Sequence, residues 1–307
     1  MKTSATLQLN LPSRTKSRAM DFLDLTKPRI SAMVLFSVAA GGLYAGARGS
    51  QLLVVLNTVI GTTLVSAGAG ALNHLWEKHT DSLMQRTANR PLPAGRLQPM
   101  ETFLFGMLLG LGGTAYLLVT IPNKLTALLA FGTLVSYVLI YTPLKQITTW
   151  NTLIGAIPGA MPPLIGWVGV KGTLSPEGLA LFMILFVWQI PHFLAIAWLY
   201  RDQYAQGGHK MLSSFDPTGD VTSLQMRVYC LALVPVSLFP ILIKAAGPLY
   251  LMGALLLGLF FFLRTYRFHK ERSMQNARSV LRASLIYLPG IWVLLLIDHT
   301  LNLLFRS

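Results

Sequence analysis

The sequence predicts an all-α polytopic membrane protein, about nine transmembrane helices in one bundle, and three observations carry that prediction. The 307 residues are 53% hydrophobic and only 12% charged, where a soluble domain carries about 25% charged residues. Apolar runs long enough to cross a bilayer recur along the whole chain, and mean hydropathy is +0.55. The basic residues between those runs also alternate in density from one side to the other, as in a chain threaded repeatedly through a membrane.

Taken in order, the apolar runs place spans near residues 30–47, 52–72, 102–121, 125–141, 151–168, 178–199, 228–243, 249–263 and 283–303. Residues 1–26 form a polar, basic amino-terminal segment, and 27–307 a single transmembrane domain. The net charge of +14 invites a nucleic-acid reading. Its distribution answers that reading, because 20 of the 25 Lys and Arg fall in the amino-terminal segment and the even-numbered loops. The other side keeps Arg48, Lys124, Lys171, Lys244 and Arg306. By the positive-inside rule the base-rich side is cytoplasmic, or faces the matrix in an organelle. The excess of base is topology, and no nucleic-acid partner is expected.

Residues 1–20 contain no acid and several Ser and Thr, which fits either a positive-inside flank or an organellar transit segment. One cysteine, Cys230, lies within a span, so the chain holds neither a disulfide framework nor a cysteine metal site. Ahead of the first span, Thr26 is expected to cap a helix with Pro28 in its first turn. Lys27 and Arg29 then either anchor to headgroups or face a polar site. Gly61, Gly68 and Gly70, like Gly106, Gly110, Gly112 and Gly113, let helices approach closely. Pro158, Pro162 and Pro163 in the fifth span predict a broken helix beside a cavity or a packing kink. Gln189 and His192 sit within the sixth span, where polar side chains face the bundle interior.

Residues 73–96, which follow the second span, carry the densest chemistry. Asn73, Glu77 and Asp81 are four apart, stacking on one helix face. Two acids so placed repel each other by a few tenths of a kcal/mol, and a hard divalent cation held by oxygens would offset that repulsion. Arg86, Arg90 and Arg96 follow. Oxygen ligands beside guanidinium groups suit a polyphosphate substrate. A solvated, mixed-charge loop between two spans reads equally well from spacing alone.

Several stretches together resemble one family. They are Leu25-Thr-Lys-Pro-Arg-Ile30, then Asn73-x3-Glu77-x3-Asp81-x2-Met84-x-Arg86-Thr87-x2-Arg90-Pro91-Leu92-Pro93, then Tyr141-Thr-Pro-Leu-Lys145. Gly159-Ala-Met-Pro-Pro-Leu-Ile-Gly-Trp167, Trp188-Gln-x-Pro-His-Phe193 and Asp202-x-Tyr204-x2-Gly207-x3-Met211 complete the set. The sequence between residues 21 and 212 thus resembles the UbiA-type membrane prenyltransferases, and within them the heme O synthase (protoheme IX farnesyltransferase) branch. Two positions depart from the family pattern: Glu77 stands where Asp is usual, and Gln203 where an acid is common.

The resemblance implies a bacterial inner-membrane enzyme, or a mitochondrial one, with its active site on the cytoplasmic or matrix side. It would transfer a farnesyl group from farnesyl diphosphate to a vinyl group of heme b, and water addition would complete heme O. Mg²⁺ would sit on Asn73, Glu77 and Asp81, with Asp202 on the opposite loop completing the catalytic pole. Arg86, Arg90, Lys145 and Lys210 would balance the diphosphate. His192 would contact heme, unless it bonds a neighbouring helix, and His74 or His79 would contact metal or phosphate. Tyr141, Trp150, Trp167 and Trp188 would lie near the cytoplasmic edge, where ring faces stabilise cations. Heme-handling proteins or heme A synthase would be its partners beyond lipid and substrates. A sister enzyme using 4-hydroxybenzoate would share the diphosphate pole and differ in its acceptor pocket. A transporter would put its acids near the centre of spans, whereas here they cluster at one face.

Overall fold

The computed structural model describes residues 17–305, apart from the side chains of Leu303 and Phe305. Lys2, Arg14, Lys16 and Arg306, counted above in the charge asymmetry, lie outside the described residues, as does most of segment 1–20. Among the described residues there is no strand. Eight helices are long and apolar enough to cross a membrane, and Pro28–Tyr44, with 17 residues, makes a shorter ninth. The chain is a multi-pass membrane protein, and its helices run through all nine stretches anticipated from hydropathy.

In order these are α1 (Arg18–Leu25), α2 (Pro28–Tyr44), α3 (Gln51–Trp76), α4 (Lys78–Ser82), α5 (Pro99–Thr120) and α6 (Lys124–Val135). A π-helical turn, Ser136–Tyr141, joins α6 to α7 (Thr142–Ile147). Then follow α8 (Asn151–Lys171), α9 (Pro176–Leu199), α10 (Arg201–Gln206), α11 (Asp220–Leu242), α12 (Pro248–Lys270) and α13 (Met274–Phe305). Local chemistry sets several starts. Gln98 and Glu101 form a reciprocal capping box at α5, and the Asn123 side chain accepts the Thr126 N–H at α6. Pro occupies the first turn of α2, α5, α9 and α12, where its missing donor costs nothing.

Two packing groups share α8. One buried cluster joins α2, α8, α9, α11, α12 and α13, and a second joins α3, α5, α6 and α8. Two crossings need glycine. A Cβ at Gly68 of α3 would stand 2.4 Å from the backbone nitrogen of Gly110 on α5, and one at Gly166 of α8 would stand 2.0 Å from the Val38 carbonyl oxygen on α2. Gly112 meets nothing within 4 Å, so it is no part of that packing.

The structure corrects four local expectations. The three prolines do not break α8, which runs continuously from Asn151 to Lys171. It is the most buried of the eight long spans, and Gln189 Nε2 of α9 donates to its Ala156 carbonyl at 2.7 Å. Residues 142–147, expected as loop, are helical because Pro143 falls in the first turn of α7, leaving only 148–150 as connection. Much of the basic stretch 264–282 is likewise helical, because α12 and α13 run on past their apolar portions. Thr26 ends α1 instead of starting α2, its hydroxyl donating to the Leu23 carbonyl. The cap of α2 is Lys27, in the left-handed region at φ 52°.

Candidate active site

All nine spans have one end on the base-rich side, and there the polar residues of α3, α4, α7 and the loop after α10 converge. Asn73 lies in the last turn of α3, Glu77 at the break that follows it, and Asp81 in α4. The helix is therefore interrupted at Glu77. The Glu77 N–H still donates to the Asn73 carbonyl at 2.9 Å and the Asp81 N–H to Glu77 at 2.8 Å, which keeps the three side chains in register. All three are buried.

Each carries its own cation. Lys27 Nζ donates to Asn73 Oδ1, Lys145 Nζ lies 2.7 Å from Glu77 Oε1, and Arg90 Nη1 lies 2.7 Å from Asp81 Oδ2. The left-handed turn at Lys27 directs the first of these. A Cβ at Gly70 would stand 3.6 Å from Lys27 Cγ, so the lysine stem crosses α3 there to reach Asn73. The Asn73 amide is fixed from its other end, since Nδ2 donates to Thr142 Oγ1 at 3.1 Å. The π turn sets the Lys145 side: its ammonium stands 4.7 Å from the centre of the Tyr141 ring, which packs against Gly155.

The electrostatics separate the two acids. Burial alone would raise the Glu77 carboxyl, but Lys145 and then Lys27 outweigh it and hold the group down to about 2. At Asp81 burial prevails over Arg90 and pushes the carboxyl up. Asp81 Oδ1 is buried and has no hydrogen-bond partner, which leaves a carboxylate oxygen open for a ligand. Among the described residues no three His, Cys, Asp or Glu side chains gather as a metal cage. Two carboxylates and one amide oxygen instead suit Mg²⁺, which takes one or two carboxylates and completes its shell with substrate phosphate and water. The donor set therefore fits that ion.

The loops after α3 and α10 meet. The Arg86 N–H donates to Gln203 Oε1 at 2.9 Å, and its guanidinium stands 5.0 Å and 5.7 Å from the ring centres of Tyr200 and Tyr204. Gln203, one of the two departures from the family pattern, is thus the residue that ties the second loop to the first. Asp202 is corrected: its carboxylate is 86% exposed and lies 3.7 Å from Arg201, turned out to solvent by the short helix that turns Gln203 inward. Lys210 is exposed too, and its backbone instead links Lys145 and Asn151. Arg96 pairs with buried Asp21 at 2.9 Å, bracing the loop on α1. His79 and Arg29 are exposed, while His74 is buried with an unpartnered Nδ1.

Sequence reasoning passed over His209. It is buried against Tyr204, ring centres 5.8 Å apart, and burial pulls its imidazole down to about 4. Its only signal was a position between two glycines and a lysine.

Deeper in the bundle, the His192 and Trp188 rings stack at 4.8 Å. His192 Nδ1 lies 2.7 Å from Ser284 Oγ on α13, and Trp188 Nε1 donates to the Ser284 carbonyl at 2.9 Å. Nothing in the sequence marked Ser284. Trp150 is exposed, and Trp167 lies at the far, base-poor end because α8 carries it sixteen residues from Asn151.

A carboxylate-and-base pole closing one end of an all-helical apolar bundle gathers a prenyl diphosphate's charge at the surface and leaves its chain among the spans. That is the arrangement of a membrane prenyltransferase. The chain belongs to the UbiA prenyltransferase family, which it matches over residues 34–288. It is 45% identical over 288 residues to the protoheme IX farnesyltransferase of Solibacter usitatus (strain Ellin6076), covering 91% of this chain and 98% of that one. It is 46% identical over 278 residues to the protoheme IX farnesyltransferase of Salinibacter ruber (strain DSM 13855 / M31), with 91% and 98% covered. Among solved structures the fold matches a digeranylgeranylglyceryl phosphate synthase with a TM-score of 0.76 at 17% identity, over 92% of this chain and 98% of that one. It also matches a UbiA homologue of Archaeoglobus fulgidus bound to DMAPP and Mg²⁺, with a TM-score of 0.63 at 14% identity, over 90% and 99%.

Proposed function

We propose that this chain transfers the farnesyl group of farnesyl diphosphate to a vinyl group of heme b, forming heme O with release of diphosphate. The observation that carries the reading is the trio of seated cations at Asn73, Glu77 and Asp81, in a chain similar over nearly its whole length to protoheme IX farnesyltransferases. Lys27, Lys145 and Arg90 turn from the protein's own oxygens to those of the diphosphate, with Arg86 at the mouth. Asn73, Glu77 and Asp81, freed by that exchange, would hold Mg²⁺, which would supply Lewis-acid neutralisation of the leaving group. Asp202 and Lys210, both turned outward, have no part in this first contact.

The allylic C–O bond breaks with its electron pair leaving on diphosphate, and the preorganised cations stabilise the charge that develops there. The vinyl π electrons close on the farnesyl C1. Water captures the resulting carbocation beside the porphyrin and loses a proton, giving the hydroxyethylfarnesyl group. His192 contacts heme through Nε2. Residues 27–307 act as one domain, and by the positive-inside rule the diphosphate pole faces the cytoplasm of a bacterial inner membrane. Contact with heme A synthase, which would consume this product, belongs to the same reading.

Purified protein given farnesyl diphosphate, Mg²⁺ and heme b should yield a product heavier than heme b by one farnesyl group plus one hydroxyl group. Turnover of a hydroxybenzoate with no change in heme mass would overturn the heme assignment while keeping the diphosphate pole.

A further inference from the structure

At the base-poor end of the bundle, where α2, α8, α9, α11, α12 and α13 meet, a cavity of about 570 Å³ opens. It lies a full length of α2 from Lys27, roughly 25 Å for its seventeen helical residues. Arg48, Lys171 and Lys244 all line it. Those are three of the five bases the sequence leaves at that end, so a face poor in positive charge spends most of what it has at one place.

The three cations have no close ion-pair partner among the described residues, and Lys171 Nζ stands 5.8 Å from the centre of the Trp167 ring. One acid, Glu177, also lines the cavity and accepts from Ser175 Oγ at 2.6 Å, so the lining carries three positive charges against one negative; Asp298 beside it accepts the Gly247 and Tyr250 N–H groups and the Asn302 amide. Two further wall residues keep a buried nitrogen without a partner, Trp167 Nε1 and His299 Nε2. Trp167 is only 5% exposed, and an indole N–H can only donate. A buried donor left unpaired costs about 1–3 kcal/mol, so the wall asks for an acceptor.

We propose that this cavity binds the phosphate of an anionic phospholipid from the leaflet opposite the diphosphate pole. An anion with several acceptor oxygens answers the three cations together. Its depth is that of a headgroup layer, since the lining comes from the ends of spanning helices. Leu242 and Leu249, within two residues of lining residues Lys244 and Pro248, are exposed apolar side chains on which acyl chains pack. The site is separate from the prenyl-transfer reading and does not rest on it.

The test is native mass spectrometry of the full chain, stripped of lipid in detergent and then offered phosphatidylglycerol or phosphatidylcholine. Wild type should retain phosphatidylglycerol in preference. The triple variant Arg48→Gln, Lys171→Gln, Lys244→Gln should lose affinity by about fivefold per cation. A control of equal charge change at the other end, Lys270→Gln, Arg278→Gln, Arg282→Gln, should keep it, with helical circular dichroism unchanged in both. Equal loss in the two triples, or no preference between the lipids, overturns the proposal. So does a stabilisation by inorganic phosphate alone that equals that of the lipid, which would make this a site for the free anion.

Discussion

His192 Nδ1 and Ser284 Oγ lie 2.7 Å apart, and the Ser284 hydroxyl donates its single proton to the Leu281 carbonyl, also at 2.7 Å. In the tautomer that fits this arrangement Ser284 accepts from His192 Nδ1–H and Nε2 presents a bare lone pair; in the other tautomer the hydroxyl donates to Nδ1 instead. A histidine that ligates iron needs the first tautomer, held by a partner on its other nitrogen. Ser284→Ala should weaken heme b binding by about tenfold and shift the bound heme's Soret band. Ser284→Thr should restore both, and His192→Ala should abolish the shifted spectrum. An unchanged spectrum in His192→Ala would remove histidine from the heme site.

Asp81 offers the open oxygen of the pole. Asp81→Ala should insert and fold normally, yet lose turnover by about 10²–10³-fold or more, as when one preorganised stabilising group is removed. Chelation of Mg²⁺ should abolish wild-type turnover to a similar degree. Steady-state rates on membranes normalised for protein would show it, and near-normal turnover in the variant would break the assignment.

Lys145 and Glu77 form a buried pair. Lys145→Met alone leaves an uncompensated carboxylate and should destabilise by about 3–5 kcal/mol. The double variant with Glu77→Gln removes the stranded charge and should recover most of that loss. Thermal midpoints of the two single variants and the double variant in detergent give the coupling directly. Additive losses would show that the pair is not coupled.

His209 sets a pH dependence. Its folded value of about 4 lies below the ordinary 6.5, so between those values the unfolded chain binds more protons and stability falls as pH falls. The full contribution is present above pH 6.5, and a shift of that size amounts to roughly 3 kcal/mol. His209→Gln should flatten the fall in thermal midpoint across this window. An unaltered slope would mean the imidazole is already charged in the fold.

The outward Asp202 and the inward Gln203 make opposite predictions. Asp202→Asn should leave turnover within about twofold of wild type, as expected of an exposed charge. Gln203→Ala removes the acceptor for the Arg86 N–H and should raise KM for farnesyl diphosphate more than it lowers kcat. A collapse of turnover in Asp202→Asn would return that residue to the site.

Apolar run length and base asymmetry made the nine helices legible, because a bilayer demands both. The Asn73, Glu77 and Asp81 set was legible because i, i+4 spacing survives even a break at Glu77. The partners of those oxygens were not. Lys27 reaches Asn73 through a left-handed turn, and Lys145 is aimed by a π turn, neither of which has a periodic signature. The inward turn of Gln203 beside the exposed Asp202 was not legible, because motif position does not say which of two adjacent residues on a one-and-a-half-turn helix faces inward. Ser284 was invisible, being a serine in an apolar run whose role depends on a helix ninety residues away.

The three seated lysine and arginine side chains have a consequence for biogenesis. Three cations and two carboxylates locked together carry a net charge of only one, so the pole enters the membrane edge already screened, before any metal or lipid diphosphate arrives. On the proposed function, substrate capture would be a swap of partners within a preassembled ionic lattice, and product departure would let the same lattice close again.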